Sequence, residues 1–253
     1  PMVHAFYNWD EWGIAEEPLT FLVGAVDPVH NPQPLTNRRL ILAEKKKAVK
    51  GVGPGLAFGW EMYRKTGVPQ GLVCCAHGGT SLAQWNPDLR DKGGYSLYGA
   101  MYRRFKKLGQ PIAGILWYQG ESDAGLKEYP YYTQKMLKLI KAVRTDFSLP
   151  NLPWVIVQLG KVYGTQWSQK GWLMAKEQQR KLPDLVKNLV VVPAMDLPND
   201  DLIHIGAEGH KILGKRLARA ALYLQRTPKV KSSIVSVSYT HLRAHETSLH
   251  LVC

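Results

Sequence analysis

The sequence has few cysteines and no long apolar run. Its three cysteines, Cys74, Cys75 and Cys253, cannot form a disulfide framework, and the first two stand inside an apolar run where buried thiols are common. The cysteines therefore do not indicate a redox compartment. No apolar stretch approaches the roughly 20 residues that a membrane-spanning helix needs.

A nucleic-acid recognition motif is also lacking, although the formal net charge is +13. The lysines and arginines cluster around residues 45–50, 103–107 and 211–219, in separate amphipathic stretches. Such clusters are typical of the solvated faces of helices. No base-stacking aromatic motif accompanies them. We therefore predict no nucleic-acid partner and no membrane partner.

The middle of the chain alternates apolar runs with helix-like stretches. With 253 residues, of which 45% are hydrophobic, a single α/β domain is the expected organisation. Runs that are apolar on both faces predict buried parallel strands, and apolar residues at three- and four-residue spacing predict helices. The predicted strands are 71–76, 112–119, 154–159 and 189–194. The predicted helices are 54–66, 97–108, 129–144, 171–181 and 209–224.

Two segments interrupt this alternation. Residues 24–50 carry three prolines before a lysine run, which predicts a mobile surface loop or lid edge. Residues 237–247 resemble the translation of a sequencing adapter. We therefore predict a domain over 1–230 and a non-native or disordered tail over 231–253. His241 and His245 in this tail mimic a metal pair, and we assign no metal site to them.

Polar groups follow three of the predicted strands. After the first comes the turn 77–81, where glycines such as Gly79 allow a main-chain N–H to serve an oxyanion hole; an ordinary strand-to-helix turn is the alternative. After the second come Gln119 and Glu121. The glutamine amide can donate to a developing oxyanion, and the glutamate either orients a histidine or is a hydrogen-bonded acid at a loop start.

The third pattern is Asp201 followed by His204. At this spacing the carboxylate can accept from one imidazole nitrogen and leave the other free to act as a base toward a serine hydroxyl. A surface hydrogen bond between the two is the alternative interpretation.

Together these patterns resemble the sialate O-acetylesterase and acetylxylan esterase group of the SGNH-hydrolase superfamily. The resemblance covers most of the chain, and the string 117–122 (WYQGES) is its most specific part. The matching motifs, in the order of that family, are 53–58, 66–69, 77–81 with Trp85, 117–123 and 201–204.

The resemblance implies a three-layer flavodoxin-like fold that hydrolyses acetyl esters on sugars without a metal or organic cofactor. An extracellular or periplasmic location would suit such an acetylated carbohydrate substrate. By this analogy Gly79 supplies a backbone oxyanion donor, Gln119 replaces the usual asparagine donor, and His204 is the general base. Asp201, ranked before Glu121, orients the histidine.

The sequence departs from the family at its nucleophile. Relatives carry a Gly-Gln-Ser-Asn-Met type motif at the end of their first strand, and nothing like it occurs here. We expect that strand and its serine to lie upstream of Pro1, which makes the parent a serine-type acetylesterase and this chain an inactive fragment. Ser81 and Ser122 stand in the right loops, but serines at such places more often cap helices.

A binding protein is the alternative function. A serine-less carbohydrate-binding module would use Trp85, Trp117 and Tyr118 as substrate-binding surfaces that stack on sugars. Trp117 lies within a predicted strand, where packing in the core is the more common role of a tryptophan. The sequence predicts neither the particular sugar nor the oligomeric state.

Overall fold

The computed structural model describes residues 2–48, 51–164, 166–226 and 248–252, the last five as backbone. It contains a seven-stranded sheet in the order β2-β1-β3-β7-β4-β5-β6. All neighbouring strands are parallel except β1 and β2, which form an antiparallel hairpin. The strands are β1 Val3–Phe6, β2 Trp12–Ile14, β3 Gln70–Cys74, β4 Gly114–Trp117, β5 Trp154–Gln158, β6 Leu189–Pro193 and β7 Ser248–Val252.

Six α-helices in the described part of the chain cover this sheet. They are α1 Arg38–Lys46, α2 Gly55–Thr66, α3 Leu97–Leu108, α4 Tyr132–Asp146, α5 Gln169–Leu185 and α6 Ala207–Arg226. The four predicted core strands and five predicted helices are confirmed, with ends displaced by a few residues. No helix within the described residues has both the length and the apolar character that crossing a bilayer requires.

Successive side chains of a strand point to opposite faces of the sheet, and each face carries its own hydrophobic core. In β3, Val73 faces a cluster that includes residues of α3 and α4, whereas Leu72 and Cys74 face a second cluster that includes residues of α1, α2 and α6. Buried strands with apolar side chains on both faces need helices on both sides. The predicted three-layer α/β architecture is therefore confirmed.

Two helices on one face approach each other closely. A Cβ on Gly214 of α6 would lie 2.5 Å from the carbonyl oxygen of Pro54 and 2.6 Å from the Cβ of Ala57 in α2. A side chain at this position would collide with backbone, so glycine permits the α2–α6 packing.

The centre of the sheet, where the first strand of the family is expected, is occupied by β7. Strands β3 and β4 are joined through β7, whose His250 pairs with Leu72 on one side and Gly114 on the other. With β7 counted first, the run β3-β7-β4-β5-β6 has the 2-1-3-4-5 order of flavodoxin-like sheets. The predicted tail thus contributes residues 248–252 to the sheet, and its residues 231–247 lie outside the described residues. Whether the tail is native stays a prediction.

The segment 24–50 is not simply a surface loop. Its residues 38–46 form α1, which begins after Asn37, whose side chain accepts hydrogen bonds from the N–H groups of Arg39 and Leu40. Lys45 is buried and donates to the carbonyl oxygens of Glu16, at 2.7 Å, and Glu17, at 3.2 Å. The loop prediction was wrong for these residues because part of the lysine run packs against the domain.

The basic cluster at 103–107 also differs from the solvated face predicted for it. Arg104 is fully buried and donates to Asp10 at 2.7 Å and to the carbonyl oxygen of Phe6 at 2.7 Å. Arg103 donates to both Asp10 and Asp27, each at 2.6 Å. These ion pairs join α3 to the β1–β2 turn and to the segment that precedes α1.

We expect Asp10→Asn to lower the free energy of unfolding by about 3–5 kcal/mol, because it leaves the buried Arg104 without its charged partner. Burial acts to raise the pKa of Asp10, but the hydrogen bond from Arg103 and the charges of Arg104 and Arg103 outweigh it and lower the pKa. Its contribution to stability is therefore present above the ordinary pKa and lost as the pH falls through the lowered one.

Urea denaturation at neutral and acidic pH measures this loss. Asp88→Asn is the control, because Asp88 is exposed and its partner Lys138 is half exposed. Removing such a surface pair should leave the midpoint nearly unchanged. Equal losses of unfolding free energy for Asp10→Asn and Asp88→Asn would contradict the stabilising role of the buried ion pairs.

Candidate active site

The three polar patterns follow strands β3, β4 and β6. These strands are parallel members of one sheet, so their carboxyl ends lie along the same edge. Ligand sites of open α/β sheets form at this edge. The fold therefore brings the turn 77–81, the loop 119–123 and the loop 200–204 to one side of the molecule.

The glycine turn has an unobstructed amide. Gly79 is exposed at φ +70°, and a Cβ built on it would meet no atom within 4 Å. No described residue accepts a hydrogen bond from its N–H. The turn around Gly79 is stabilised by the Thr80 hydroxyl, which donates to the carbonyl oxygen of His77 at 2.8 Å. The Gly79 N–H therefore belongs to an exposed residue and has no acceptor within the described part of the chain.

Gln119 connects the glycine turn to Asp123. Its Nε2 donates to the carbonyl oxygen of Thr80 at 3.1 Å and to the carboxylate of Asp123 at 2.6 Å. Because both neighbours are acceptors, only the NH₂ end of the amide can face them. Both amide hydrogens are then engaged, and this arrangement offers no free donor for an oxyanion. The geometry does not favour the donor role expected from the sequence.

Asp123 is a residue that sequence reasoning missed. Its fully buried carboxylate accepts from Gln119 and from the N–H of Leu82, at 2.7 Å, and lies 3.6 Å from the Lys135 ammonium. It therefore connects the glycine turn, the end of β4 and helix α4. The sequence signal for Asp123 was its place directly after the WYQGES string. Its role as a hydrogen-bond acceptor could not be predicted, because the Leu82 N–H that donates to it is 41 residues away.

Asp201 and His204 form the predicted dyad. Asp201 Oδ2 lies 2.7 Å from His204 Nδ1, and Oδ1 accepts from the N–H groups of Ile203, at 2.8 Å, and His204, at 2.7 Å. The Ile203 N–H and then the imidazole hold the pKa of Asp201 well below its ordinary value. An ionised Asp201 selects the Nδ1–H tautomer of His204, which leaves Nε2 free to accept a proton.

The loop that carries the dyad is fixed to its neighbours. The N–H of Asp200 donates to the carbonyl oxygen of His204 at 2.9 Å, and the N–H of Tyr163 donates to that of Leu202 at 2.8 Å. The second bond joins this loop to the one that follows β5. The imidazole is more than two thirds exposed, so its position depends on this backbone and on Asp201.

Glu121 stands in the electrostatic surroundings of the histidine. Burial raises the pKa of Glu121, while the N–H groups of Glu121 and Gly120 and the charge of His204 act in the opposite direction. No hydrogen bond joins the two side chains within the described residues. Asp201 is therefore the acid in direct contact with His204, whereas Glu121 is within range of the charge of His204.

Two of the three aromatic residues proposed to bind sugar belong to the core. Trp85 and Trp117 are almost completely buried and pack edge to face with their ring centres 5.3 Å apart. Their rings cannot stack on a ligand, so this prediction was wrong for both. Tyr118 is partly exposed, with its ring centre 6.5 Å from that of His210.

The serines in these loops have local roles. The Ser81 hydroxyl lies 3.3 Å from Gln84 Oε1, which also accepts from the Ser81 N–H at 2.9 Å. Ser122 is exposed within the short 3₁₀ helix Glu121–Asp123. Neither serine is hydrogen-bonded to His204 in the described structure.

A pair of histidines beside the glycine turn also escaped sequence reasoning. The Nδ1 atoms of His30 and His77 lie 2.9 Å apart, and the rings are stacked. Their separation of 47 residues gives no local signal. Among the described residues, no group of three or more potential metal ligands is found. His241 and His245 lie outside that part of the chain.

Comparisons with known proteins agree with this architecture. Residues 1–223 match the family model described as carbohydrate esterase, sialic acid-specific acetylesterase. A probable carbohydrate esterase from Arabidopsis thaliana is 36% identical over 182 residues, which cover 69% of this chain and 65% of that protein. The chain thus spans just under two thirds of the length of this curated relative.

Solved structures extend the likeness to the fold. The X-ray structure of that Arabidopsis protein superposes with a TM-score of 0.67 and 30% identity, covering 88% of this chain and 81% of the other. A carbohydrate acetylesterase from Xanthomonas citri superposes with a TM-score of 0.58 and 26% identity, covering 68% of this chain and 40% of the other.

The backbone of the glycine turn provides a test. We expect Gly79→Ala to lower the free energy of unfolding by about 1–2 kcal/mol, because an alanine in the left-handed region is strained. Gly78→Ala is the matched control. A Cβ on Gly78, like one on Gly79, would meet no atom within 4 Å, but the φ of Gly78 is not positive. Urea denaturation measures both, and equal losses would contradict the conformation assigned to Gly79.

Proposed function

This chain belongs to the carbohydrate esterase family of sialic acid-specific acetylesterases, and we propose that its parent protein hydrolyses acetyl esters on sugars with a serine nucleophile. The observation that carries the proposal is the Asp201–His204 hydrogen bond at the sheet edge that also bears the open amide of Gly79. A base and an oxyanion donor are two of the parts that acyl transfer needs.

In the proposed reaction, His204 Nε2 takes the proton of the serine hydroxyl as the serine oxygen attacks the acetyl carbonyl carbon. The Gly79 N–H donates to the carbonyl oxygen as it becomes negative. When the tetrahedral intermediate collapses, the bond to the sugar oxygen breaks and the imidazolium returns its proton to that oxygen. Water then attacks the acetyl-serine in the same way and releases acetate.

We place the serine on a strand outside these 253 residues, at the sheet position that β7 occupies here. Two observations support this position. This position lies between β3 and β4, so the carboxyl end of a strand placed there lies between the glycine turn and the loop 119–123 that carries Glu121. Ser81 and Ser122, the serines within those two loops, form no hydrogen bond with His204.

Gln119 and Asp123 support the site without contacting the substrate in this proposal. They hold the carbonyl oxygen of Thr80 and the N–H of Leu82, and so fix the direction of the Gly79 amide. Asp201 sets the tautomer of His204. Glu121, when ionised, adds negative potential that stabilises the imidazolium formed during the reaction.

The alternative of a serine-less binding module is less well supported. It relied on three stacking aromatics, and burial of Trp85 and Trp117 leaves only Tyr118 of that set at the surface.

Release of acetate from acetylated monosaccharides tests the proposal. We expect no release by the 253-residue chain, and release once the chain is extended by the upstream sequence of its gene. In the extended chain, His204→Ala should lower kcat/KM by about 10²–10⁴-fold, the usual contribution of a general base. His4→Gln, on β1, is the matched control and should retain the rate. Activity of the 253 residues alone would place the nucleophile within them.

The acid partner of His204 can be identified separately. Asp201→Asn in the extended chain should lower kcat by at least about 10²-fold, because an amide can donate to Nδ1 and so favours the wrong tautomer. Glu121→Gln should cost less at neutral pH, since Glu121 makes no hydrogen bond to the ring. A larger loss for Glu121→Gln would reverse the two roles.

Glu121 should also shape the pH profile. Because its pKa is raised, its charge is lost at a higher pH than for an ordinary glutamate as the solution becomes acidic. The wild-type kcat should therefore show a decline in mildly acidic solution that is absent from Glu121→Gln. Identical profiles would show that the charge of Glu121 does not contribute.

A further inference from the structure

We propose that the cavity beside the glycine turn is a binding site for a single sugar ring of the ester substrate, with Tyr95 as its stacking platform. This proposal rests on the proposed function and names the part of the protein that recognises the carbohydrate. The cavity has a volume of about 230 Å³ and is lined by residues that include His77, Thr80, Gln84, Lys92 and Tyr95.

The position of the cavity connects it to the chemistry. His77 and Thr80, which line it, directly flank Gly78 and Gly79 in the sequence. A ligand in the cavity therefore lies against the turn that bears the open amide. With the acetyl oxygen at the Gly79 N–H, the remainder of an ester would have this adjoining space to enter.

The volume indicates the size of the ligand. Sites for drug-sized molecules measure about 300–1,000 Å³, and this cavity lies just below that range. It exceeds the needs of an acetyl group and suits one ring better than an oligosaccharide. A hollow of about 420 Å³ between residues 87–91 and helix α4 is larger, but ion-paired groups such as Arg90 and Asp146 line it and the glycine turn does not.

The side chains around the cavity match a sugar. Tyr95 is 75% exposed, so its ring is available to the apolar face of a pyranose. Gln84 uses its Oε1 for the Ser81 N–H, which leaves its NH₂ group to donate to hydroxyl oxygens. Lys92 is exposed and forms no ion pair with a described residue, so its ammonium can donate as well. Donors around an aromatic ring are a suitable set for hydroxyl-rich ligands.

The walls are held in place before a ligand binds. The Ser96 hydroxyl donates to the carbonyl oxygen of Leu89 at 2.6 Å, and the N–H of Val29 donates to that of Gly94 at 2.9 Å. These bonds fix both sides of the segment that carries Lys92 and Tyr95. A pre-formed site loses less conformational freedom on binding.

His30 acts as a positioning residue for His77. Two Nδ1 atoms at 2.9 Å must share one proton, so one ring donates and the other accepts. Burial, then the charges of His77, Arg104 and Arg103, lower the pKa of His30 to about 4. A neutral His30 at ordinary pH keeps this hydrogen bond, which fixes the His77 ring against the cavity.

Ligand-observed NMR with the full 253-residue chain tests the site directly. The probes are the methyl glycosides of glucose, galactose and xylose. We expect at least one to bind, and Tyr95→Ala to weaken its affinity by about five- to tenfold, the scale of one aromatic contact. Tyr131→Ala is the matched control, since Tyr131 is 56% exposed and does not line the cavity, and it should leave the affinity unchanged.

Kinetics in the extended chain separate this proposal from the proposed function. Tyr95→Ala should raise KM for an acetylated monosaccharide about five- to tenfold and leave kcat/KM for ethyl acetate unchanged. Binding without hydrolysis in the extended chain would end the esterase proposal and leave the sugar site standing. Two results would overturn the sugar site. One is hydrolysis that depends on His204 but is insensitive to Tyr95→Ala. The other is an equal effect of Tyr95→Ala and Tyr131→Ala on sugar binding.

Discussion

The arrangement of the candidate site depends on parallel pairing at the centre of the sheet. Strands β3 and β4 carry the glycine turn and the Glu121 loop, and both form their ladders with β7. The register of β7 therefore sets the height of the two loops relative to each other. Outside the ladder, Gln119 and Asp123 connect the same two loops through Thr80 and Leu82. These backbone and side-chain contacts join the turn that carries Gly79 to the buried carboxylate of Asp123.

The sequence predicted those parts of the fold that depend on local periodicity. Buried strands such as β5 and amphipathic helices such as α3 follow directly from the spacing of apolar residues. Helix α1 was missed because the neighbouring prolines indicated a loop, whereas the buried Lys45 finds its acceptors 28 and 29 residues earlier in the chain. The burial of Arg104 likewise depends on Asp10, which is 94 residues away.

The same distinction holds for the site. The Asp201–His204 pair spans three residues, so its hydrogen bond could be predicted from spacing. Gln119 was assigned a donor role because its carbonyl acceptor, on Thr80, lies 39 residues away and has no sequence signal. Trp85 and Trp117 were assigned to sugar binding by residue type alone, which does not distinguish a surface ring from two rings packed against each other.

The contacts of Asp123 have an evolutionary consequence. Its carboxylate is wholly buried and accepts from both Gln119 and the Leu82 N–H, so a replacement without a side-chain acceptor would leave two donors unpaired in the interior. Substitution at position 123 should be tolerated only together with a change at position 119. Across homologous chains, we therefore expect these two positions to vary jointly, even though neither is assigned to contact the substrate.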